Sequence, residues 1–427
     1  MSEKHRFETK CLHAGQQPDP ATGSRAVPVY RTTSYVFEDS DHAARLFSYQ
    51  EAGNIYTRMM NPTQDVMEQR MAEMEGGKAA LALASGTSAI FYSVINVCSQ
   101  GQEIVSAGNL YGGTYTMFDN ILPQFGIRTS FVDPRNPENF NAAVNEKTRA
   151  LFAETIGNPS LGVTDIEAVA KIAQKHHLPL IIDGTFTTPH LLRAIEHGAN
   201  IVVNSATKWL GGHGTGIGGI VIDAGNFDWT DPKFEMFNTP DPSNFNMRMA
   251  TDLGENNPIA FAMRMRMVAL RNLGACISPD NAWMFLQGME TLPLRMQRHC
   301  ENAMAVAKWL QDHPKVAWVR YPGLKDDPSY QTAARYLEKG FGSVVVFGIK
   351  GGRGAGRRFI DSLELFSHLA NVGDAKSLAL HPASTTHSQL TDEQQMAAGV
   401  SPDMIRLSVG LEHIDDITAD LDHALRK

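Results

Sequence analysis

The chain has 427 residues, of which 43% are hydrophobic and 20% are charged, and its formal net charge is −8. A chain of this length exceeds what one hydrophobic core usually serves, so we expect two or three folded units. The acidic balance without a basic run argues against partners such as nucleic acid or an anionic membrane, and four scattered cysteines without a CxxC pair argue against a disulfide framework.

The N-terminal segment, residues 1–60, contains turn-forming residues and little sustained periodicity. Its first eight residues lack the apolar core of a secretory signal, and the chain has no run of about 18 apolar residues that could span a bilayer. We therefore expect a soluble protein with no membrane partner, and the four scattered cysteines are typical of the reducing cytoplasm. The segment itself is predicted to be an extended arm that packs on something else, such as a neighbouring subunit.

A large domain is predicted to follow over residues 61–280. Its first helix begins after Asn61, a favourable N-cap, with Pro62 in the first turn, and ends at Gly76 and Gly77. Apolar runs then alternate with helical segments, which predicts a mostly parallel seven-stranded sheet with helices on both faces. The predicted strands are residues 79–84, 103–107, 129–132, 149–153, 179–183, 201–204 and 217–222.

The rest of the chain is predicted to form a smaller α/β domain over residues 281–427. Before it, the stretch 224–257 is loop-like, with prolines among aromatic residues that we expect to be exposed, and is predicted to be an insertion near the site. The first helix of the smaller domain has an apolar stripe of Met296, Cys300, Ala303, Ala307 and Leu310. The predicted strands are residues 316–320, 343–349 and 405–408.

An aspartate and a lysine end two successive strands of the large domain. Asp183 ends the strand 179–183, and Lys208 follows the strand 201–204 together with the hydroxyl residues Ser205 and Thr207. The carboxyl ends of parallel strands meet at one edge of a sheet, so we expect these side chains to lie together. They suit pyridoxal phosphate (PLP), whose aldehyde takes a lysine, whose ring nitrogen takes a carboxylate and whose phosphate takes hydroxyl and amide donors. The alternative is a helix-capping aspartate and a solvated lysine before a flexible glycine loop.

A turn suited to a phosphate follows the strand 79–84. Ser85, Gly86 and Thr87 lead into a helix, and the N–H groups at a helix N-terminus bind anions. Any strand-to-helix turn has this appearance, so the turn alone does not identify a site.

The segment 214–219 matches the GxGxxG pattern of nicotinamide sites, but it precedes a strand where that pattern requires a helix. We therefore exclude a nicotinamide cofactor there.

An arginine within an apolar strand is the other unusual residue. A charge there is unfavourable unless an anion meets it, so Arg406 is predicted to bind a substrate carboxylate or, alternatively, to form an internal salt bridge.

The histidines show neither HExxH nor a carboxylate at ligand spacing, and no metal site is expected. These histidines are His176, His177, His213, His381 and His387.

Taken together, the motifs resemble those of the Cys/Met metabolism PLP-dependent enzymes. In chain order the motifs that carry the resemblance are Tyr56–Arg58, Asn61–Thr63, Ser85–Gly86, Leu110–Thr114, Gly157–Pro159, Asp183, Ser205–Lys208, His381–His387 and Arg406–Gly410. The resemblance covers nearly the whole chain. It implies the aspartate aminotransferase-like fold of PLP enzymes (fold type I) and a homo-oligomer, expected to be a tetramer built from two dimers with shared active sites.

The resemblance also implies roles for individual residues. Lys208 would carry the Schiff base and move protons, Asp183 would bind the pyridine nitrogen, and Tyr111 would stack on the ring and assist at the leaving group. The residues implied at the phosphate are Ser85, Gly86, Thr87, Ser205 and Thr207, with Tyr56 and Arg58 of the partner subunit. Asn158 would lie near the ring hydroxyl. Arg406, together with Asn371 and Thr386, would bind the substrate carboxylate.

Within the family, the segments 224–257, 271–278 and 371–378 are most similar to the branch that acts on O-acetylhomoserine. That similarity implies γ-replacement, in which sulfide or a small thiol displaces acetate from O-acetyl-L-homoserine and yields L-homocysteine for methionine biosynthesis. One alternative is a γ-lyase that releases 2-oxobutanoate and ammonia from methionine or homocysteine. Another is a non-catalytic sulfur-relay or scaffold protein.

Several positions depart from the family pattern. Gly113 stands where methionine γ-lyases have a cysteine. Asn371 and Val372 stand where the lyases and the cystathionine γ-synthases usually have Ser-Leu. Both departures argue against the degradative γ-lyase reaction. Gly184 stands where an asparagine commonly follows the aspartate, and Thr87 replaces a common methionine. The backbone of residue 87 would serve the phosphate in either case.

Overall fold

The structure, a computed structural model, describes residues 5–386, 388, 391–397 and 399–427. These residues form two β-sheets surrounded by helices. The strands are β1 (Ala79–Leu83), β2 (Glu103–Ala107), β3 (Arg128–Val132), β4 (Thr148–Glu154), β5 (Leu180–Asp183), β6 (Ile201–Ser205), β7 (Gly219–Asp223), β8 (Val316–Arg320), β9 (Val344–Ile349), β10 (Ser367–His368), β11 (Leu378–Leu380) and β12 (Met404–Ser408).

Helices precede, connect and follow these strands. The α-helices are α1 (Phe7–His13), α2 (Ser40–Phe47), α3 (Pro62–Glu75), α4 (Gly86–Ile95), α5 (Gly112–Thr116), α6 (Glu138–Ala143), α7 (Ile166–Lys175), α8 (Thr188–Leu191), α9 (Glu235–Asn238), α10 (Ala260–Arg264), α11 (Arg271–Leu273), α12 (Pro279–Glu290), α13 (Leu292–Gln311), α14 (Tyr330–Tyr336), α15 (Gly352–Asp361), α16 (Asp392–Ala397) and α17 (Ile414–Arg426). Short 3₁₀ and π turns extend several of them, at Met117–Ile121, Leu122–Phe125, Ala194–His197, Pro242–Asn244, Gly254–Ile259, Met265–Leu270 and Pro382–Ser384.

The larger sheet confirms the predicted seven strands. Its order is β1-β7-β6-β5-β4-β2-β3, and β7 runs in the opposite direction to the other six strands. Its central strands are buried along their length, as expected for a mostly parallel sheet packed against helices such as α3, α4 and α7. The glycine segment 214–219 leads into β7, which is the strand context that argued against a nicotinamide site.

The beginning of α3 confirms the predicted helix start. Asn61 is its N-cap and accepts the N–H of Thr63 at 3.0 Å, and Pro62 occupies the first turn. The N-terminal segment is less extended than predicted, because it contains α1 and α2. The side chains of Phe7 and Cys11 are buried where α1 packs on α3 and α12 of the same chain. A helix of seven residues shows too few turns for its periodicity to be recognised.

The prediction of exposed aromatic residues over 224–257 is wrong for most of them. Trp229, Phe234 and Phe237 are at most 2% exposed. The Trp229 ring stacks on that of Phe237 with 4.3 Å between centroids, and on that of Phe261 with 5.5 Å. Stacked aromatic rings supply a local core that a loop rich in proline does not reveal through periodicity. Phe245 remains 64% exposed, as expected.

The smaller sheet has the order β10-β11-β12-β9-β8 and contains all three predicted strands of the C-terminal region. Helices α13 and α15 pack on it, and every residue of the predicted apolar stripe on α13 is buried. The boundaries at residues 60 and 280 stay predictions, and α12 runs across the second one. In the described part of the chain, no helix combines the length and the apolar character that crossing a bilayer requires.

Candidate active site

The carboxyl ends of five parallel strands bring the predicted residues to one edge of the larger sheet. β5 ends at Asp183, β6 ends at Ser205, and β1 leads through Ala84 into Ser85. β4 ends at Glu154, and the loop after β2 reaches Tyr111. Chemistry in open α/β sheets occurs at this edge, so the expected convergence of Asp183 with the Ser205–Lys208 segment is confirmed.

The N-terminus of α4 lies directly against the end of β6. Ser85 is its N-cap and accepts the N–H of Ser88 at 3.0 Å. A Cβ atom added to Gly86 would lie 2.6 Å from the Cβ of Ser205, so only glycine allows this approach. The first N–H groups of the helix, including that of Thr87, have no partner within the helix and can bind an anion.

Asp183 is held by a residue that the sequence did not single out. Its Oδ1 accepts the N–H of Thr185 at 2.9 Å, and the Oγ1 of Thr185 accepts the N–H of Ser205 at 2.9 Å. Thr185 therefore connects the aspartate to the segment that carries Lys208. Burial raises the pKa of Asp183, and the bonds from Thr185 oppose that rise. Thr185 thus supports this carboxylate next to Gly184, the position where the family commonly has an asparagine.

Lys208 lies half-buried behind the glycine segment. Its Nζ donates to the Oδ1 of Asn371, which lies in the loop between β10 and β11 of the smaller sheet. Burial, and secondarily the charge of Arg406, lowers the pKa of Lys208 to about 8. A larger fraction of this amine is therefore neutral at pH 7 than in an ordinary lysine, whose pKa is about 10.4. A neutral amine is the form that attacks an aldehyde.

We expect the reactivity of Lys208 to report this lowered pKa. In the protein freed of small molecules, acylation of Lys208 by an amine-specific reagent should rise with pH and reach half its maximum near pH 8. Peptide mass spectrometry after brief labelling measures it, and the exposed Lys147 serves as the internal comparison. A half-maximum near pH 10 would show that burial does not depress the pKa of this amine.

Arg406 occupies the middle of β12 and carries an uncompensated charge. Its Nη1 donates to the Oδ1 of Asn158 at 3.2 Å, and its Nη2 donates to the backbone O of Asn371 at 3.4 Å. Both partners are neutral, and no ion pair to Arg406 occurs among the described residues. Burial lowers its pKa to about 10, so the guanidinium stays charged at neutral pH. An internal salt bridge is therefore not its role here, and a ligand anion fits.

Tyr111 stands at the mouth of this arrangement, 52% exposed, as the N-cap of α5. A Cβ atom on Gly113 would lie 2.6 Å from the Tyr111 ring, so a cysteine at position 113 would displace the ring. The N–H of Tyr111 donates to the Oε1 of Glu154 at 2.8 Å. Sequence reasoning missed Glu154, although its position at the end of a buried strand is the same feature that singled out Asp183.

A cleft of about 2090 Å³ opens over these groups. The predicted residues that line it are Ser85, Thr87, Tyr111, Asn158, Thr386 and Arg406. The lining does not include Asp183, Ser205 or Lys208. Thr185 connects Asp183 to Ser205, and Asn371 connects Lys208 to Arg406, which lines the cleft. The Thr207 hydroxyl instead exchanges hydrogen bonds with the main chain of Gly218, at 3.1 and 3.2 Å.

Two predicted site residues lie apart from the cleft. Tyr56 and Arg58 are exposed on the surface, with the Arg58 guanidinium 5.2 Å from the centre of the Tyr56 ring. Their assignment to the site of a second subunit stays a prediction. His387 lies outside the described residues. Within the described ranges, no three metal-ligating side chains are grouped so that they could hold an ion.

Comparison with known families and proteins places the site in context. A sequence profile described as Cys/Met metabolism PLP-dependent enzyme matches residues 8–426. The O-acetyl-L-homoserine sulfhydrylase of Leptospira meyeri is 57% identical, over 100% of this chain and 98% of that protein. The homocysteine synthase of Schizosaccharomyces pombe is 51% identical, over 99% of both chains. The O-acetyl-L-homoserine sulfhydrylase 1 of Thermus thermophilus is 50% identical, over 98% of this chain and all of that protein.

A solved structure agrees with the fold over its full length. The crystal structure of a protein assigned as an O-acetylhomoserine (thiol)-lyase from Campylobacter jejuni superposes with a TM-score of 0.95 and 40% identity. The match covers 99% of this chain and 100% of that one. The Campylobacter protein contains N'-pyridoxyl-lysine-5'-monophosphate, a lysine joined to the cofactor.

Proposed function

The chain belongs to the Cys/Met metabolism PLP-dependent enzyme family, and on that premise we propose that it is an O-acetyl-L-homoserine sulfhydrylase. The reaction is γ-replacement, in which sulfide or a small thiol displaces acetate and gives L-homocysteine, a step of methionine biosynthesis. The observation that carries the proposal is identity of 50–57% along the whole chain to relatives named for this activity or its product.

The residues at the sheet edge fit PLP. The buried Asp183 carboxylate has the N–H of Thr185 as a partner and suits a protonated ring nitrogen. The N-terminus of α4, which Gly86 allows to approach Ser205 closely, suits the phosphate. Lys208 supplies an amine whose pKa of about 8 favours its attachment to the PLP aldehyde. PLP, when bound, supplies an electron sink that stabilises negative charge on substrate carbons.

The chain's own groups perform the positioning and the proton transfers. Arg406 binds the substrate carboxylate through its charged, forked guanidinium, which fixes the amino acid over the site. Lys208 takes and returns protons next to the reacting carbons, and a pKa near neutrality suits an acid–base group. The Tyr111 hydroxyl at the mouth of the cleft assists departure of acetate. Asn371 accepts hydrogen bonds from both Lys208 and Arg406 and so fixes the positions of these two side chains relative to each other.

We further propose that two subunits complete each site, within a tetramer built from two dimers. The exposed Tyr56 and Arg58, which their own cleft does not use, support this arrangement. Reduced, unpaired cysteines support a cytoplasmic location, since Cys11, Cys98, Cys276 and Cys300 are all free.

Complementation between two inactive variants tests the shared site. A dimer that combines one Lys208→Ala chain with one Arg58→Ala chain should recover activity, because one of its two sites then has both residues intact. With differently tagged chains, purified mixed dimers should show about half the wild-type activity. Each variant alone is the control. Mixed dimers no more active than the two unmixed variants would place Arg58 in its own chain's site or outside any site.

The proposed substrate is tested by comparing homoserine esters. The purified, PLP-loaded protein is given sulfide with O-acetyl-, O-succinyl- or O-phospho-L-homoserine, and homocysteine is measured. The proposal expects the acetyl ester to give the highest kcat/KM. A preference for a charged acyl group would reassign the substrate while leaving γ-replacement in place.

A further inference from the structure

A second buried carboxylic acid adjoins Asp183. Glu154 ends β4 directly opposite Asp183 in the β4–β5 pairing. The two residues are 6% and 9% exposed. Neither forms an ion pair with a lysine or arginine among the described residues, so the pair is not neutralised by a protein cation. The interior therefore holds two adjacent acids at the position where the cofactor's ring nitrogen is expected.

Two like charges are unfavourable in a buried site where the protein supplies no cation, and a protonated ring nitrogen would balance only one of them, so one of the acids keeps its proton. Burial, and secondarily the charge of Asp183, raises the pKa of Glu154 well above its ordinary value. The polar group that meets Glu154 is the Tyr111 N–H, which donates to its Oε1 at 2.8 Å. Asp183 also accepts one backbone N–H, that of Thr185, but a side-chain hydrogen bond from Thr185 further opposes the rise that burial causes in its pKa, so Asp183 is the acid better prepared to carry the charge.

We propose that Glu154 is a positioning residue that acts as a neutral carboxylic acid, holding the Tyr111 main chain and leaving the negative charge of the pair on Asp183. The proposal rests on the proposed function in one respect, namely that Tyr111 lies over the reacting groups. Glu154 contacts neither substrate nor cofactor in this account. It acts through Tyr111, whose backbone it fixes, and through Asp183, whose ionised form it preserves.

A protonated buried acid has a direct spectroscopic signature. In the PLP-loaded protein at pH 7, the infrared difference between wild type and Glu154→Gln should contain the carbonyl band of one protonated carboxylic acid. The matched control is Glu75→Gln, which removes another buried acid, 1% exposed, that accepts the N–H of Ala194 and does not line the cleft. This control should leave turnover and the cofactor's visible spectrum unchanged. Loss of an ionised carboxylate band in Glu154→Gln would overturn the neutral assignment.

Turnover tests the positioning role separately. Glu154→Ala leaves the Tyr111 N–H without its acceptor and should lower kcat about 10- to 100-fold. Glu154→Gln retains a neutral acceptor of the same shape and should recover most of that loss, with a visible absorbance against pH that follows the wild type. An unaffected kcat in Glu154→Ala, or a Gln variant as impaired as the Ala variant, would contradict the role. The infrared band and the visible spectrum need no sulfhydrylase turnover, so they remain decisive even if another reaction is the physiological one.

Discussion

Replacing Lys208 with alanine should lower kcat at least about 1000-fold, the largest effect of any single substitution considered. The substitution removes both the amine that attaches PLP and the group that moves protons. Lys208 is half-buried and its burial lowers its pKa to about 8, so removing this charge should not destabilise the fold. Turnover of O-acetyl-L-homoserine with sulfide is measured together with the thermal midpoint of unfolding.

The exposed Lys147 provides the control for Lys208, since its replacement by alanine should change neither turnover nor stability. Substantial activity in a folded Lys208→Ala protein would show that another amine carries the cofactor. A Lys208→Ala protein that does not fold would leave Lys208→Met, which keeps the length of the side chain without its charge, to answer the same question.

Replacing Arg406 with methionine should lower kcat/KM about 100-fold or more, mainly through a higher KM. Methionine retains the length and apolar stem of the side chain but loses the charged fork, and charge-assisted hydrogen bonds to a carboxylate are the stronger ones. Arg406 has only neutral partners, Asn158 and Asn371, so its loss leaves no buried carboxylate unpaired. Steady-state kinetics over a range of O-acetyl-L-homoserine concentrations measures the effect.

Two comparisons sharpen the test of Arg406. Arg406→Lys keeps the charge without the fork and should fall between wild type and Arg406→Met. The exposed Arg31, paired with Asp280, should tolerate methionine without loss of activity. An unchanged KM in Arg406→Met, with the cofactor still bound, would assign the substrate carboxylate to another residue.

Most strands of the larger sheet could be predicted closely because they are nearly continuous buried runs that contrast with the helices around them, although the edge strand β3 is only partly buried. β2 and β8 have the predicted bounds, whereas β10 and β11 were missed since strands of two and three residues carry no pattern. The same limit hid α1. The buried aromatic cluster around Trp229 was missed for another reason, because ring stacking between separated residues leaves no periodic trace.

The residues of the candidate site also differ in how clearly a sequence pattern reveals them. Asp183, Lys208, Ser85 and Arg406 could be singled out as candidates because each stands at a strand end, at a helix start or within an apolar strand. Thr185 and the contact between Lys208 and Asn371 depend on how distant segments meet, which spacing does not encode. Glu154 ends a strand in the same way as Asp183, and only the pairing of β4 with β5 shows that the two acids are neighbours.

The most direct test of the account is the product balance of the purified, PLP-loaded protein given O-acetyl-L-homoserine with and without sulfide, with homocysteine and 2-oxobutanoate measured together. We expect homocysteine to form in proportion to the acetate released when sulfide is present, with little 2-oxobutanoate. Formation of 2-oxobutanoate and ammonia regardless of sulfide would instead identify a γ-lyase. Formation of neither product would contradict both enzymatic functions.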